Sequence, residues 1–253
     1  MKYLFMKPDQ IREAVKNNIP AVLPLGVIEY HAEHLPLGVD FFVAEKVISM
    51  VEEEYPDRMV VLPPFYYGTA SYAVAAPEGN GTVNVAPDKL LPVAEEIFRG
   101  LLEVGFRNIH CFIAHQTEGF IQGMPTDLAF RFAGRKVIFE FLDQKLGRGW
   151  WGNEENAKYY TGGKNPFDYI QVHPVRSRES TRKAFKGDHT GILETSEMLV
   201  IHPETVDMNK IDDRLWFART AHEATREFGE AALKATAEDI RQILFGAEND
   251  ENR

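Results

Sequence analysis

Residues 21–55, "AVLPLGVIEYHAEHLPLGVDFFVAEKVISMVEEEY", change character twice. They open at 21–27 as a short apolar run of strand length, and close at 41–55 with apolar side chains at three- and four-residue spacing, the mark of an amphipathic helix. The runs at 59–65, 108–114 and 135–142 are also short, β-branched and aromatic, and read as buried strands. Residues 87–104 repeat the helical pattern, with Pro87 suited to a first turn. The order β, α, β, α, β predicts an α/β fold, a largely parallel sheet with helices on both faces.

Residues 143–187 break this rhythm with Gly, Pro and aromatics and read as a long, loop-rich excursion. Helical periodicity returns at about 191–202 and 213–244, before a frayed acidic tail. With no internal repeat or low-complexity linker, residues 1–253 are expected to form one domain. A net charge of −10 without clustered Lys and Arg argues against nucleic-acid partners and anionic membranes. No run approaches the roughly 20 apolar residues of a membrane span, and the N-terminus is too short and polar for a signal peptide. The single cysteine, Cys111, sits inside an apolar run and excludes an intrachain disulfide. These features predict a cytoplasmic protein acting on a small molecule.

Between strand and helix, residues 24–40 carry two histidines and three carboxylates in an otherwise apolar setting. Buried carboxylates and imidazoles must be paired, hydrogen-bonded or metal-bound. If the strand stays extended through residue 31, Glu29 and His31 project from one face at its carboxyl end, where open α/β sheets bind ligands. Asp40 precedes the helix and is either its N-cap or a ligand. His34 is a ligand, a residue behind the ligands that contacts substrate, or a turn residue. His115 ends the 108–114 run at the corresponding edge; with Glu29, His31 and Asp40 it completes an O/N donor set suited to Zn²⁺ or Mn²⁺, with Fe a further candidate.

The pattern Glu-x-His-x-x-His-Leu-Pro-x-x-x-Asp, Glu29 to Asp40, resembles the metal-binding signature of the creatininase (creatinine amidohydrolase) family. Residues 66–85, 113–120 and 187–208 resemble, in order, its Tyr-Gly…Gly-Thr, Asn-Gly-His and His-Ala-Gly-x-x-Glu-Thr-Ser segments. The resemblance implies a three-layer α/β/α sandwich, usually a homohexamer, with one or two divalent metals that activate water against a small cyclic amide. By position, Glu29, Asp40 and His115 match the ligands of one metal, and His31 and Asp40 two ligands of a second. His189 matches the proton-transfer histidine and Glu194 the acid after it, a further metal ligand or a residue that orients His189. Read alone, His189 is either a helix-start residue or a general acid with a pKa near neutrality.

The departures bear on the second metal and on the substrate. Where relatives carry a carboxylate two residues after the His, this chain has Thr117, with Glu118 one later as either a ligand or a first-turn helix carboxylate. The expectation is one firmly held metal, with His31 and Glu194 completing its shell or holding a weaker second ion. The stretch 71–80 lacks a histidine common among relatives, which resembles a subgroup that opens dehydro-inososes, cyclic polyhydroxy ketones of inositol catabolism, at a carbon–carbon bond. Trp150 and Trp151, between glycines, are read as a substrate-covering lid or a subunit interface. A non-catalytic, metabolite-binding relative is the remaining alternative.

Overall fold

A computed structural model describes residues 1–115, 122–161 and 165–249. The regular elements, in chain order, are α1 (Pro8–Lys16), β1 (Ala21–Leu25), α2 (Val39–Glu54), β2 (Val60–Val61), α3 (Pro87–Val104), β3 (Ile109–Ile113), α4 (Pro125–Leu146), β4 (Ile170–Pro174), α5 (Glu179–Ala184), α6 (Ile192–Ile201) and α7 (Arg226–Asn249). The strands form one parallel sheet in the order β2-β1-β3-β4. Ala21 lies opposite Val60 on one side and Ile109 on the other, and Ile109 opposite Ile170.

All five residues of β1 and of β3 are buried, as a strand covered on both faces requires. Alternation divides them between two cores. Ala21, Leu23, Leu25, Ile109, Cys111 and Ile113 meet Leu90, Phe98, Phe130, Val137 and Ile138 of α3 and α4. Val22 and Phe112 meet Val43, Val47 and Ile48 of α2, Met198 of α6 and Leu233 and Ile240 of α7. The result is the three-layer α/β/α sandwich. The α4 layer sits close: a Cβ on Gly134 would come within 2.8 Å of Ile170 Cγ2, so glycine lets the helix approach β4.

Two sequence expectations are corrected. Residues 135–142 lie inside α4, a helix whose buried positions Phe130, Ala133 and Val137, with Ile138 beside it and Leu142 four residues further on, follow a three- and four-residue spacing. The fourth strand is β4, within 143–187, where three-residue 3₁₀ turns at Trp150–Gly152, Glu154–Asn156, Tyr159–Thr161 and Pro166–Asp168 precede it. The 59–65 run contributes only the two residues of β2, because Pro63 and Pro64 end the ladder. Near the β4 edge, His110 Nε2 pairs with Asn108 Oδ1 at 2.8 Å and His110 Nδ1 with His173 Nε2 at 3.1 Å, the two imidazoles stacking with Phe112.

Candidate metal centre

The carboxyl ends of β1 and β3, the start of α2 and the start of α6 converge on one buried cluster. After Leu25 the chain leaves the sheet at Gly26, where a Cβ would sit 2.8 Å from the Phe41 Cα, so only glycine lets the loop pass against α2. Glu29 and His31 follow as loop residues, not as an extension of the strand. Their positions are set by Glu29 N–H donating to Leu37 O at 3.1 Å and Tyr30 N–H to Thr82 Oγ1 at 2.9 Å, and by a left-handed Ala32 (φ 58°). Gly38, not Asp40, occupies the N-cap of α2; Asp40 lies in the first helical turn, buried.

Donor atoms of Glu29, Asp40 and His115 all lie within 4.8 Å of one another, and so do those of His31, Asp40 and Glu194. Asp40 is common to both groups. Its Oδ2 stands 3.4 Å from His115 Nδ1 and 3.7 Å from His31 Nε2; Glu29 Oε2 is 3.4 Å from His115 Nδ1 and Glu194 Oε2 is 3.5 Å from His31 Nε2. The His31 Nδ1–H donates to the Glu29 carbonyl at 3.0 Å, which leaves the Nε2 lone pair bare and aimed at the two carboxylates. That nitrogen and Asp40 Oδ2 are buried without a hydrogen-bond partner. A divalent cation satisfies both atoms and the surplus negative charge, so the residues present fit a metal.

The electrostatics of the bare cluster show the same demand. Burial raises the Glu29 carboxyl to about 7 against the pull of His115, and burial together with Asp40 and Asp188 pushes Glu194 well above the usual carboxylate range. His115, despite burial, is raised to about 8 by Asp40 and Glu29. Without a cation these carboxylates cannot all ionise, so protons occupy the site in its place.

His189 lies alongside, its ring 4.5 Å from that of His31. Its Nε2–H donates to the Tyr30 carbonyl at 3.0 Å, leaving Nδ1 as an acceptor, and burial followed by His31 lowers its pKa to about 4. The ring is therefore neutral at pH 7. Glu194 is oriented by the Thr190 N–H at 2.6 Å, and Asp188 caps α6 by accepting from Leu193 N–H at 2.8 Å and Glu194 N–H at 3.3 Å. His34 is buried behind the cluster, its Nε2 3.1 Å from Thr195 Oγ1. Glu118 and Thr117 lie outside the described residues.

Trp150 and Trp151 make their ring contacts with each other, Tyr159 and Phe167, and Trp150 Nε1–H donates to Asp143 Oδ1 at 3.1 Å. None of these partners belongs to the cluster. Arg176 and Glu197, which belong to none of the sequence motifs, form a buried ion pair between the end of β4 and α6. The available signal was Glu197 itself, a carboxylate one turn after Glu194 in the apolar "ILETSEMLVI".

The family described as creatininase, creatinine amidohydrolase, matches residues 5–244. The chain belongs to the creatininase family. Membership makes it a metal-dependent hydrolase, which accounts for the donor cluster at the strand ends. A creatinine amidohydrolase of Pseudomonas putida is 26% identical over 198 residues, covering 76% of this chain and 68% of that protein. The fold is shared with a structure described as creatininase Mn, at TM-score 0.72 and 18% identity, with 97% of this chain and 98% of that one covered. A Glu-to-Gln mutant creatininase of Zn-Zn type superposes at TM-score 0.71 and 18% identity, with 97% of both chains covered.

Proposed function

We propose that this protein hydrolyses the amide bond of a small polar cyclic substrate, with Zn²⁺ or Mn²⁺ held by Glu29, Asp40 and His115 and a weaker second ion by His31, Asp40 and Glu194. The observation that carries this reading is the buried pair of orphaned atoms, His31 Nε2 and Asp40 Oδ2, among the converging donors of Glu29, His115 and Glu194. A cation bound there supplies Lewis acidity to a carbonyl and makes water acidic enough to attack near neutral pH.

His189 is the proton carrier in this proposal. Held neutral, with Nε2–H fixed on the Tyr30 carbonyl, it takes on Nδ1 the proton that the attacking water loses and returns it to the leaving nitrogen. It thus begins as a base and finishes as an acid, where the sequence alone suggested only the second half. Glu194 and the Thr190 N–H that holds it fix one wall of the site.

A second reading, hydrolytic opening of an inosose-type cyclic ketone at a carbon–carbon bond, is favoured by "SYAVAAPEGN" at 71–80, which carries no histidine. The same donors serve either carbonyl. Retention of Glu29, Asp40 and His115 argues against a purely binding relative. We further propose a cytoplasmic homohexamer, by analogy with the family. The test is turnover of creatinine, lactams, cyclic formamides and inosose ketones by metal-loaded protein, with products read by mass spectrometry. Ring-opened amide is expected; opened ketone alone selects the second reading. No turnover of any of them by protein that holds its metal would overturn hydrolysis.

A further inference from the structure

Glu194 reaches the cluster from α6, an element far along the chain from the loop carrying Glu29 and His31, so something must hold α6 in register with the sheet. Two of its holds are local. Asp188 caps the helix and the Thr190 N–H binds the Glu194 carboxylate, both from the segment immediately before α6. Two others cross to the strand ends from positions one and three residues after Glu194. His34, in the loop after β1, meets Thr195, and Arg176, just past β4, binds Glu197.

The second crossing link is unusual in energetic terms. The Glu197 side chain is 1% exposed and that of Arg176 12%. The pair is incompletely satisfied, since Arg176 Nε and Glu197 Oε2 are buried without a hydrogen-bond partner. A buried ion pair with unmet donors and acceptors seldom repays its desolvation and is often matched or bettered by apolar residues of similar volume. Stability therefore does not account for it. Geometry does: Glu197 follows Glu194 by three residues and so shares its helix face, and Arg176 leaves the sheet at the edge where His115 also emerges, Val175 N–H still pairing with Ile113 O at 2.9 Å.

We propose that Arg176 is a positioning residue that, through Glu197, fixes the rotation and height of α6 so that the Glu194 carboxylate faces His31 and Asp40. The pair acts on the donor group containing Glu194 and leaves the Glu29, Asp40 and His115 group untouched. The inference rests on the metal reading above. Outer partners of metal ligands typically change affinity by about 10- to 100-fold when removed.

The experiment is Mn²⁺ binding to metal-stripped protein, followed by calorimetry and electron paramagnetic resonance, with the relevant event marked as the one that Glu194→Gln weakens. In the apolar double variant Arg176→Met/Glu197→Leu, the melting temperature is expected to stay level or rise while that event weakens by about 10- to 100-fold and the other stays unmoved. Arg176→Lys, which keeps the charge but not the planar fork, is expected to fall between the two and provides the comparison if the double variant does not fold. Unchanged Mn²⁺ affinity in either variant, or Glu194→Gln moving no event, overturns the inference while leaving the metal reading standing. Wild-type protein that binds no Mn²⁺ and no Zn²⁺ overturns both.

Discussion

Replacing His173 with Phe should make the protein less stable at neutral pH and more stable in mild acid. The wild-type contact fixes both tautomers. His110 Nε2–H donates to Asn108 Oδ1, so its Nδ1 lone pair must accept from His173 Nε2–H; protonating His110 at Nδ1 would set two N–H groups against each other, and protonating His173 at Nδ1 would place a second charge in the same buried stack. Burial lowers His110 to about 4, and burial with the neighbouring His110 and Arg131 lowers His173 to about 3, against 6.5 for a free imidazole. As pH falls through 6.5 the unfolded chain gains two protons that the folded chain refuses. The pair's stability is thus whole above 6.5 and is lost progressively down to its folded pKa values. At about pH 5 each ring costs about 2 kcal/mol, or about 3–4 for the pair after discounting the partly exposed His173. In His173→Phe the new ring keeps the stack on Phe112, forfeits about 1 kcal/mol of hydrogen bonding, and removes one of the two protons. The stability curves of wild type and variant should therefore cross between about pH 5 and 7, the variant leading by about 1 kcal/mol at the acid end. Urea unfolding followed by tryptophan fluorescence at matched metal loading reads this directly, and histidines common to both proteins cancel. Parallel curves would refute the reasoning.

His189→Ala should lower kcat by roughly 10²- to 10⁴-fold with metal content intact by elemental analysis; unchanged turnover would reduce His189 to a structural role. Crystals soaked in limiting Mn²⁺ should show a strong anomalous peak among Glu29, Asp40 and His115 and a weaker one about 3.5–4 Å away toward His31 and Glu194. Equal peaks from the first soak would contradict the ranking of the two groups.

The sequence made β1, α2, α3 and β3 readable because each has one period and clear ends. Pro87 opens α3 and Gly105, at φ 119°, closes it. α4 was misread because its "KVIFEF" combines β-branched and aromatic residues in a run short enough for a strand; what makes it a helix is the apolar face extending back to Phe130, packed on α3 and β4. β4 was hidden for the opposite reason, since "IQVHP" is short and half polar, and only its ladder to β3 makes it a strand. At the site, spacing identified the donor types, but not that Glu29 and His31 converge through a turn at a left-handed Ala32. Nor does local sequence contain the tie between Arg176 and Glu197, which exists only once β4 and α6 have been brought together.

The parallel pairing of Ala21 with Ile109 joins residues roughly 90 positions apart, and contacts of that span close late because so much loop entropy must be lost before they form. The donors of the cluster are spread more widely still, from Glu29 to Glu194. Glu29, His31 and Asp40 are close in sequence, but each group is completed only by His115 or Glu194, so a cation finds its full set of donors in an almost finished frame. Its grip is exerted on the native side of the folding barrier, where it lengthens the lifetime of the folded state while leaving the rate of folding nearly unchanged.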